Sequence, residues 1–185
     1  MYNNINKCGK MTNFAFPQIR KKRRVIMNKT LSCCFTGHRD LGESANDISS
    51  ILPDVLTSLY DEGYRTFLAG GALGFDTLAA KAVIELRRKK KDARLELILP
   101  CRDQSSRWSP QDIRIYNSIL ALADKVTYIS NEYTRSCMYE RNRALVDSSN
   151  LCIAYCKKNG GGSHYTCEYA EKRGVRIVNL ANILG

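Results

Sequence analysis

A glycine-rich turn near the middle of the chain joins a short apolar run to an amphipathic segment. The apolar run covers residues 66–69, and the turn reads Gly-Gly-Ala-Leu-Gly-Phe-Asp over residues 70–76. From Phe75 onward, apolar side chains recur at offsets of 3, 4, 7, 8 and 11 residues, which is the spacing of one helix face. We therefore predict a strand, a glycine turn and a helix that begins near Leu73, in that order.

This turn has two interpretations. Glycines allow a positive φ and a close approach of backbone N–H groups to a ligand, and a helix start adds free amides and the positive end of a dipole. Such a turn is typical of a seat for a phosphate or a carboxylate. The alternative is an ordinary strand-to-helix turn in which Asp76 stabilises the first helical turn. The glycine pattern alone leaves both interpretations open.

Short apolar runs alternate with amphipathic segments along most of the chain. Six runs are predicted strands, and they cover residues 31–36, 66–69, 95–99, 126–129, 151–155 and 175–178. Five predicted helices separate them. One has Ser109 as its N-cap and Pro110 at its first position, and another contains Pro53, which we expect in its first turn or at a kink. This alternation predicts an α/β fold, a single three-layer domain with a mainly parallel sheet of about six strands.

Glycine turns follow three of the predicted strands. The first begins at Gly37, the second covers residues 70–74, and the third covers residues 160–163. The carboxyl ends of parallel strands share one edge of a sheet, and ligands bind there where the strand order reverses. The three turns together predict a ligand site at this edge.

An arginine and an asparagine share the inward face of the fourth predicted helix. Arg141 and Asn142 lie at helical spacing from Met138 and Leu145. A buried arginine must be paired or solvated. Arg141 therefore either braces the fold through an ion pair or faces a crevice that receives an anion.

The composition is that of an ordinary globular domain. The chain has 185 residues, of which 44% are hydrophobic, so it can bury a real core. No apolar run approaches about 18 residues and no secretory signal is recognisable, so we expect neither a membrane span nor export, and we place the protein in the cytoplasm. The eight cysteines form no CxxC pair. We expect most of them to be buried thiols, with no metal site.

The positive charge is concentrated at the beginning of the chain. The formal net charge is +11, and residues 1–26 carry seven basic and no acidic side chains, which leaves +4 for residues 27–185. We predict that residues 1–26 are a basic, disordered extension and that residues 27–185 form the domain. Contact with nucleic acid through the extension is expected to be weak.

Five ordered motifs resemble those of the YpsA-like family of the SLOG superfamily. They cover residues 34–39, 70–76, 104–108, 137–143 and 161–163. The resemblance implies a Rossmann-like domain of a bacterial protein that binds nucleotides or nucleotide-derived ligands. The superfamily includes the single-stranded-DNA-binding protein DprA and the LOG-type phosphoribohydrolases, and the family has proposed links to cell division and stress signalling.

Carried over to this chain, the family motifs imply a set of ligand-binding residues. They are Gly37, His38, Arg39, Gly70, Gly71, Ala72, Gly74, Asp76, Gln104, Trp108, Arg141, Asn142, Gly161, Gly162 and Ser163. Trp108 either stacks on a base or covers the rim, and His38 is expected to be a hydrogen-bonding loop residue rather than a general base. Ser163 stands where the family more commonly has threonine, which keeps the hydroxyl.

Three functions follow from the resemblance: binding or sensing of a nucleotide derivative, cleavage of an N-glycosidic bond, and binding of single-stranded DNA. The LOG signature GGxGTxxE requires a catalytic glutamate, but alignment places Thr166 there and Glu168 two residues beyond. A shift of two residues rotates a helical side chain by about 200°, so Glu168 cannot substitute. We therefore favour binding or sensing, assign no catalytic residue, and leave the ligand and a homo-oligomeric state open.

Overall fold

The computed structural model describes residues 31–157 and 160–184. The basic extension predicted for residues 1–26, and the domain boundary at residue 27, lie outside the described residues. Within the described part of the chain, no helix is long and apolar enough to cross a membrane.

Six strands alternate with six helices in the described residues. The strands are β1 (Leu31–Gly37), β2 (Tyr64–Ala69), β3 (Arg94–Leu99), β4 (Lys125–Tyr128), β5 (Leu151–Tyr155) and β6 (Arg176–Asn179). The helices are α1 (Ser44–Asp61), α2 (Phe75–Lys89), α3 (Pro110–Leu122), α4 (Cys137–Asp147), α5 (Gly161–Lys172) and α6 (Ala181–Leu184).

All six strands are parallel and form one sheet in the order β4-β3-β2-β1-β5-β6. The chain moves from β1 outward to β4 on one side and then returns to place β5 on the other side of β1. The strand order therefore reverses between β1 and β5, and a crevice is expected beyond the carboxyl ends of these strands.

Helices cover both faces of the sheet, which confirms the predicted three-layer α/β domain. Alternate side chains of a strand point to opposite faces. Cys33 and Phe35 pack with α1, α2 and α3 in the larger core, whereas Cys34 packs with α4 and α5 in the smaller one. Five of the seven described cysteines are buried, as predicted, and all seven are free thiols.

Several boundaries differ from the prediction for local reasons. Helix α2 begins at Phe75 rather than near Leu73, because Gly74 has a φ of +74°, which is not helical. Helix α1 runs through Pro53 well beyond its first turn. The carbonyl of Ser49, which would have accepted from the missing N–H, belongs to an exposed residue that water can reach.

Two further differences concern the end of the chain. Helix α5 begins at Gly161, inside the glycine turn of residues 160–163, although its apolar periodicity becomes clear only from Thr166. The short helix α6 was not predicted, because its four residues are too few to show a helical repeat. At α3, in contrast, the Ser109 hydroxyl accepts from the Asp112 N–H at 3.1 Å, which confirms the predicted N-cap.

Candidate ligand-binding site

A cavity of about 480 Å³ opens where the strand order reverses. This volume lies within the range of small-molecule pockets. We call it the first cavity, and it is lined by Phe35, Thr36, Gly37, His38, Arg39, Ala72, Asp76, Tyr133, Arg135, Met138, Tyr139, Arg141, Asn142, Leu145, Gly162 and Ser163. Nine of the fifteen predicted site residues are therefore together at the predicted edge, counted as Gly37, His38, Arg39, Ala72, Asp76, Arg141, Asn142, Gly162 and Ser163.

The floor of the first cavity holds a buried ion pair. Arg141 Nη1 lies 3.8 Å from Asp76 Oδ2, and both side chains are more than nine-tenths buried. Arg141 Nη1 also donates to the Gly70 carbonyl, and Nε donates to Asn142 Oδ1 at 2.8 Å. Arg141 thus forms the brace that the sequence analysis gave as one of two alternatives.

Arg141 also keeps one face toward the cavity. Its Nη2 makes no hydrogen bond with the described residues. Every fully buried side-chain nitrogen or oxygen among these residues has a partner, so Nη2 is not fully buried. Nη2 is therefore accessible from the cavity, so the arginine both braces the fold and presents a donor. Burial lowers the pKa of Arg141 and Asp76 opposes this shift, but a guanidinium stays charged at neutral pH.

Asp76 organises the turn after β2. Its Oδ2 accepts from the Gly70 N–H at 3.1 Å and from the Ala72 N–H at 3.3 Å. Burial raises the pKa of Asp76, and Arg141 and these two amides oppose that shift. The Gly70 amide, which was predicted to contact a phosphate, already donates a hydrogen bond to Asp76.

The glycines of this turn are required by the packing of the chain itself. A Cβ at Gly70 would overlap the Arg141 guanidinium, and a Cβ at Gly74 would overlap the Arg39 carbonyl. At Gly71, where φ is +65°, a Cβ would lie 2.5 Å from Leu99 Cδ2. Gly70, Gly71 and Gly74 are not among the residues that line the first cavity, and their contact with a ligand stays a prediction.

The turn after β5 has the opposite character. Gly160 and Gly161 have φ values of +104° and +80°, and a Cβ at either would meet no described atom within 4 Å. A Cβ at Gly162 would meet only Asn142 Nδ2, at 3.9 Å. Helix α5 starts here without a side-chain N-cap bond and without an acidic residue in its first turn. Gly162 and Ser163, in its first turn, line the first cavity, so the positive end of the α5 dipole lies beside it, whereas Gly160 and Gly161 are exposed and do not line it.

Two exposed arginines stand at the mouth of the first cavity. Arg39 and Arg135 form no ion pair with the rest of the described chain, and their side chains make no hydrogen bond with it. His38, in contrast, accepts from the Lys157 N–H at 2.9 Å through Nε2, in agreement with its predicted role as a hydrogen-bonding loop residue.

Three residues that line the cavity were not predicted: Tyr133 and Arg135 in the loop before α4, and Tyr139 in the first turn of α4. Tyr133 and Tyr139 are 60% and 49% exposed. A signal for the first two was present: they follow β4 and so lie at the same carboxyl edge as the glycine turns.

Gln104 and Trp108 lie outside the first cavity. They line a second cavity of about 650 Å³. Gln104 Nε2 donates to the Gly71 carbonyl at 2.8 Å, and the Trp108 ring packs edge-on against Tyr116 with a centroid distance of 5.3 Å. Contact of these two residues with a ligand stays a prediction.

The residues at the LOG-type catalytic position do not reach the first cavity. Thr166 is buried and its hydroxyl donates to the Gly162 carbonyl at 2.7 Å. Glu168 is exposed and lies 3.6 Å from His164 Nε2. Asp76 is the one carboxylate that lines the cavity among the residues with described positions.

Solved structures of DNA processing protein A share this fold. The protein from Helicobacter pylori, described by its single-stranded DNA binding mode, superposes with a TM-score of 0.59 and 16% identity over 80% of this chain and 64% of its own. The Streptococcus pneumoniae protein gives 0.59 and 18% over 80% of this chain and 49% of its own. This chain thus spans 64% of the length of the Helicobacter pylori protein and 49% of that of the Streptococcus pneumoniae protein. At such sequence identities the likeness concerns the fold alone.

The sequence itself identifies the family. A UPF0398 protein from Bacillus pumilus is 30% identical over 127 residues, which cover 67% of this chain and 68% of that protein. Residues 33–179, which are most of the chain, match the sequence profile described as the YspA SLOG family, YpsA. The chain therefore belongs to this SLOG family.

Proposed function

We propose that the first cavity binds a nucleotide or a nucleotide-derived ligand, with its phosphate at the start of α5. The observation that carries this proposal is that Gly162 and Ser163, in the first turn of α5, line the first cavity, and that the helix start is exposed and has no side-chain cap. Backbone N–H groups and the dipole of a helix start together favour an anion.

The charges around the first cavity favour the same kind of ligand. Three arginines, Arg39, Arg135 and Arg141, line the cavity. The one lining carboxylate among the described residues, Asp76, is already paired with Arg141. Arg39 and Arg135 keep their full hydrogen-bonding capacity for an incoming group. Charge-assisted hydrogen bonds from arginine to phosphate are among the stronger polar contacts in proteins.

Aromatic side chains give the cavity a surface for a base. Tyr139 is held edge-on against Tyr165 with a centroid distance of 4.8 Å, and Tyr133 is 60% exposed at the mouth. An exposed ring beside a cationic pocket suits stacking on a planar, uncharged group. A ligand with both a phosphate and a base uses both parts of this site, whereas inorganic phosphate uses one.

The proposal is binding or sensing rather than glycosidic cleavage. Cleavage of the LOG type needs a free carboxylate beside the sugar. Asp76 instead accepts two backbone N–H bonds and pairs with Arg141 at the floor.

Single-stranded DNA binding is the second candidate. The fold shared with the Helicobacter pylori protein favours this candidate. The exposed rim formed by Arg135, Tyr133 and Tyr139 is cationic and aromatic, which also suits a single strand. Against it stands the charge of residues 27–185, which is only +4. Oligonucleotide binding that is much tighter than mononucleotide binding and falls steeply with salt would favour this candidate.

The test combines native mass spectrometry with calorimetry. We expect the purified protein to carry a nucleotide or to bind at least one nucleoside monophosphate, with inorganic phosphate competing. Arg135→Ala is expected to weaken binding about 3- to 10-fold. Arg114→Ala, an exposed arginine on α3 outside the cavity, is the matched control. Absence of both a co-purified nucleotide and millimolar binding would overturn the proposal.

A further inference from the structure

The second cavity lies directly beside the first. Its volume is about 650 Å³, and the loop after β3 supplies part of its wall through Asp103, Ser106, Arg107 and Trp108. Three further residues of its wall, Arg39, Tyr133 and Met138, also line the first cavity. The two spaces are therefore neighbours that share a wall.

The shared wall is available to a ligand. The Arg39 side chain has no hydrogen bond or ion pair within the described part of the chain, and Tyr133 is 60% exposed. A molecule that extends from the first cavity into the second would pass a free guanidinium and an exposed aromatic ring. A phosphate linkage is the group that such an arginine binds best.

The loop after β3 gives the second cavity groups that suit a nucleoside. Asp103 supplies a carboxylate, and Ser106 and Arg107 supply donors, all on exposed residues of the loop after β3. Trp108 and Met138 supply apolar surface. A carboxylate accepts hydrogen bonds from sugar hydroxyls, and an aromatic ring and a thioether suit a flat ring.

We propose that the two cavities form one bipartite site for a ligand with two nucleoside halves joined through phosphate. This inference rests on the proposed function, because the first phosphate of the linkage takes the anion position at the start of α5 and the linkage then passes Arg39. One nucleoside half lies near Tyr139. The other half lies along the loop of Asp103, Arg107 and Trp108.

The chain contains a natural reporter for the second cavity. Trp108 is the single tryptophan of the 185 residues, so intrinsic tryptophan fluorescence reports on this cavity alone. The probes are AMP and diadenosine pyrophosphate, with the guanine counterparts as a second pair. For at least one pair we expect the dinucleotide to bind at least tenfold tighter and to change the Trp108 emission, whereas the mononucleotide binds without that change.

A variant separates this inference from the proposed function. Arg107→Ala is expected to weaken the dinucleotide about 3- to 10-fold and to leave the mononucleotide within twofold, while Arg114→Ala changes neither. Mononucleotide binding with no gain for the dinucleotide, or an equal Trp108 response to both, would overturn the bipartite site and leave the proposed function standing. Failure of all four probes to bind would overturn the bipartite site, and the absence of a co-purified nucleotide together with no millimolar binding of any nucleoside monophosphate would overturn the proposed function as well.

Discussion

The glycine turns after β2 and after β5 look alike in the sequence and differ in the structure. After β2, a side chain at Gly70, Gly71 or Gly74 would collide with the chain's own atoms. After β5, a side chain at Gly160 or Gly161 would meet no described atom within 4 Å. The first turn is closed by its own packing, and the second is exposed and reaches the first cavity at Gly162 and Ser163.

This difference separates two reasons for glycine. In the closed turn, glycine lets Arg141 and Asp76 approach the backbone and lets the loops after β1 and β2 meet, where the Phe75 N–H donates to the His38 carbonyl at 3.1 Å. In the open turn, glycine leaves helix amides uncovered. The closed turn thus builds the floor of the site, and the open turn is the proposed anion seat.

The largest expected effect is at the brace of the closed turn. Arg141→Ala leaves Asp76 buried without its partner, and we expect the free energy of unfolding to fall by about 3–5 kcal/mol. Chemical denaturation measures this. Arg135→Ala removes the same charge at the exposed rim and is expected to change stability by about 0.5 kcal/mol or less. Equal losses in the two variants would contradict the assignment of Arg141 as a brace.

The next effect compares one glycine from each turn. Gly71→Ala places a Cβ 2.5 Å from Leu99 Cδ2 at a φ of +65°, so we expect a loss of about 2–4 kcal/mol. Gly162→Ala has no such contact and stands in the first turn of α5, where alanine favours the helix, so stability should stay the same or rise slightly. Thermal unfolding of both variants measures this, and the reverse order would refute the distinction between the turns.

The smallest effect concerns the ionisation of Asp76. Burial raises the pKa of Asp76 in the folded state above its ordinary value near 4, so between these two values the folded state binds more protons than the unfolded state. In this pH window, the stability of the unmodified protein relative to Asp76→Asn should increase as the pH falls. Denaturation curves at several pH values measure the difference, and a decrease in that window would show that the pKa is lowered instead.

The sequence was sufficient wherever the information is periodic. Apolar runs placed β5 without error, and helical spacing put Arg141 and Asn142 on a buried face. The role of Gly71 was not predictable, because it depends on Leu99 and Tyr116, which are distant in the chain and meet it only in the fold. Likewise, Trp108 belongs to the loop motif of the family, but only the packing of α3 shows that it lines a separate cavity.

The most direct test of the account is amide chemical-shift mapping by NMR with the nucleoside monophosphate that binds best. We expect the largest changes at residues 160–163, and we expect Gly162→Ala, still folded, to bind at least tenfold more weakly. Changes concentrated at residues 70–74, with those at the start of α5 unaffected, would contradict it and return the anion seat to the turn after β2.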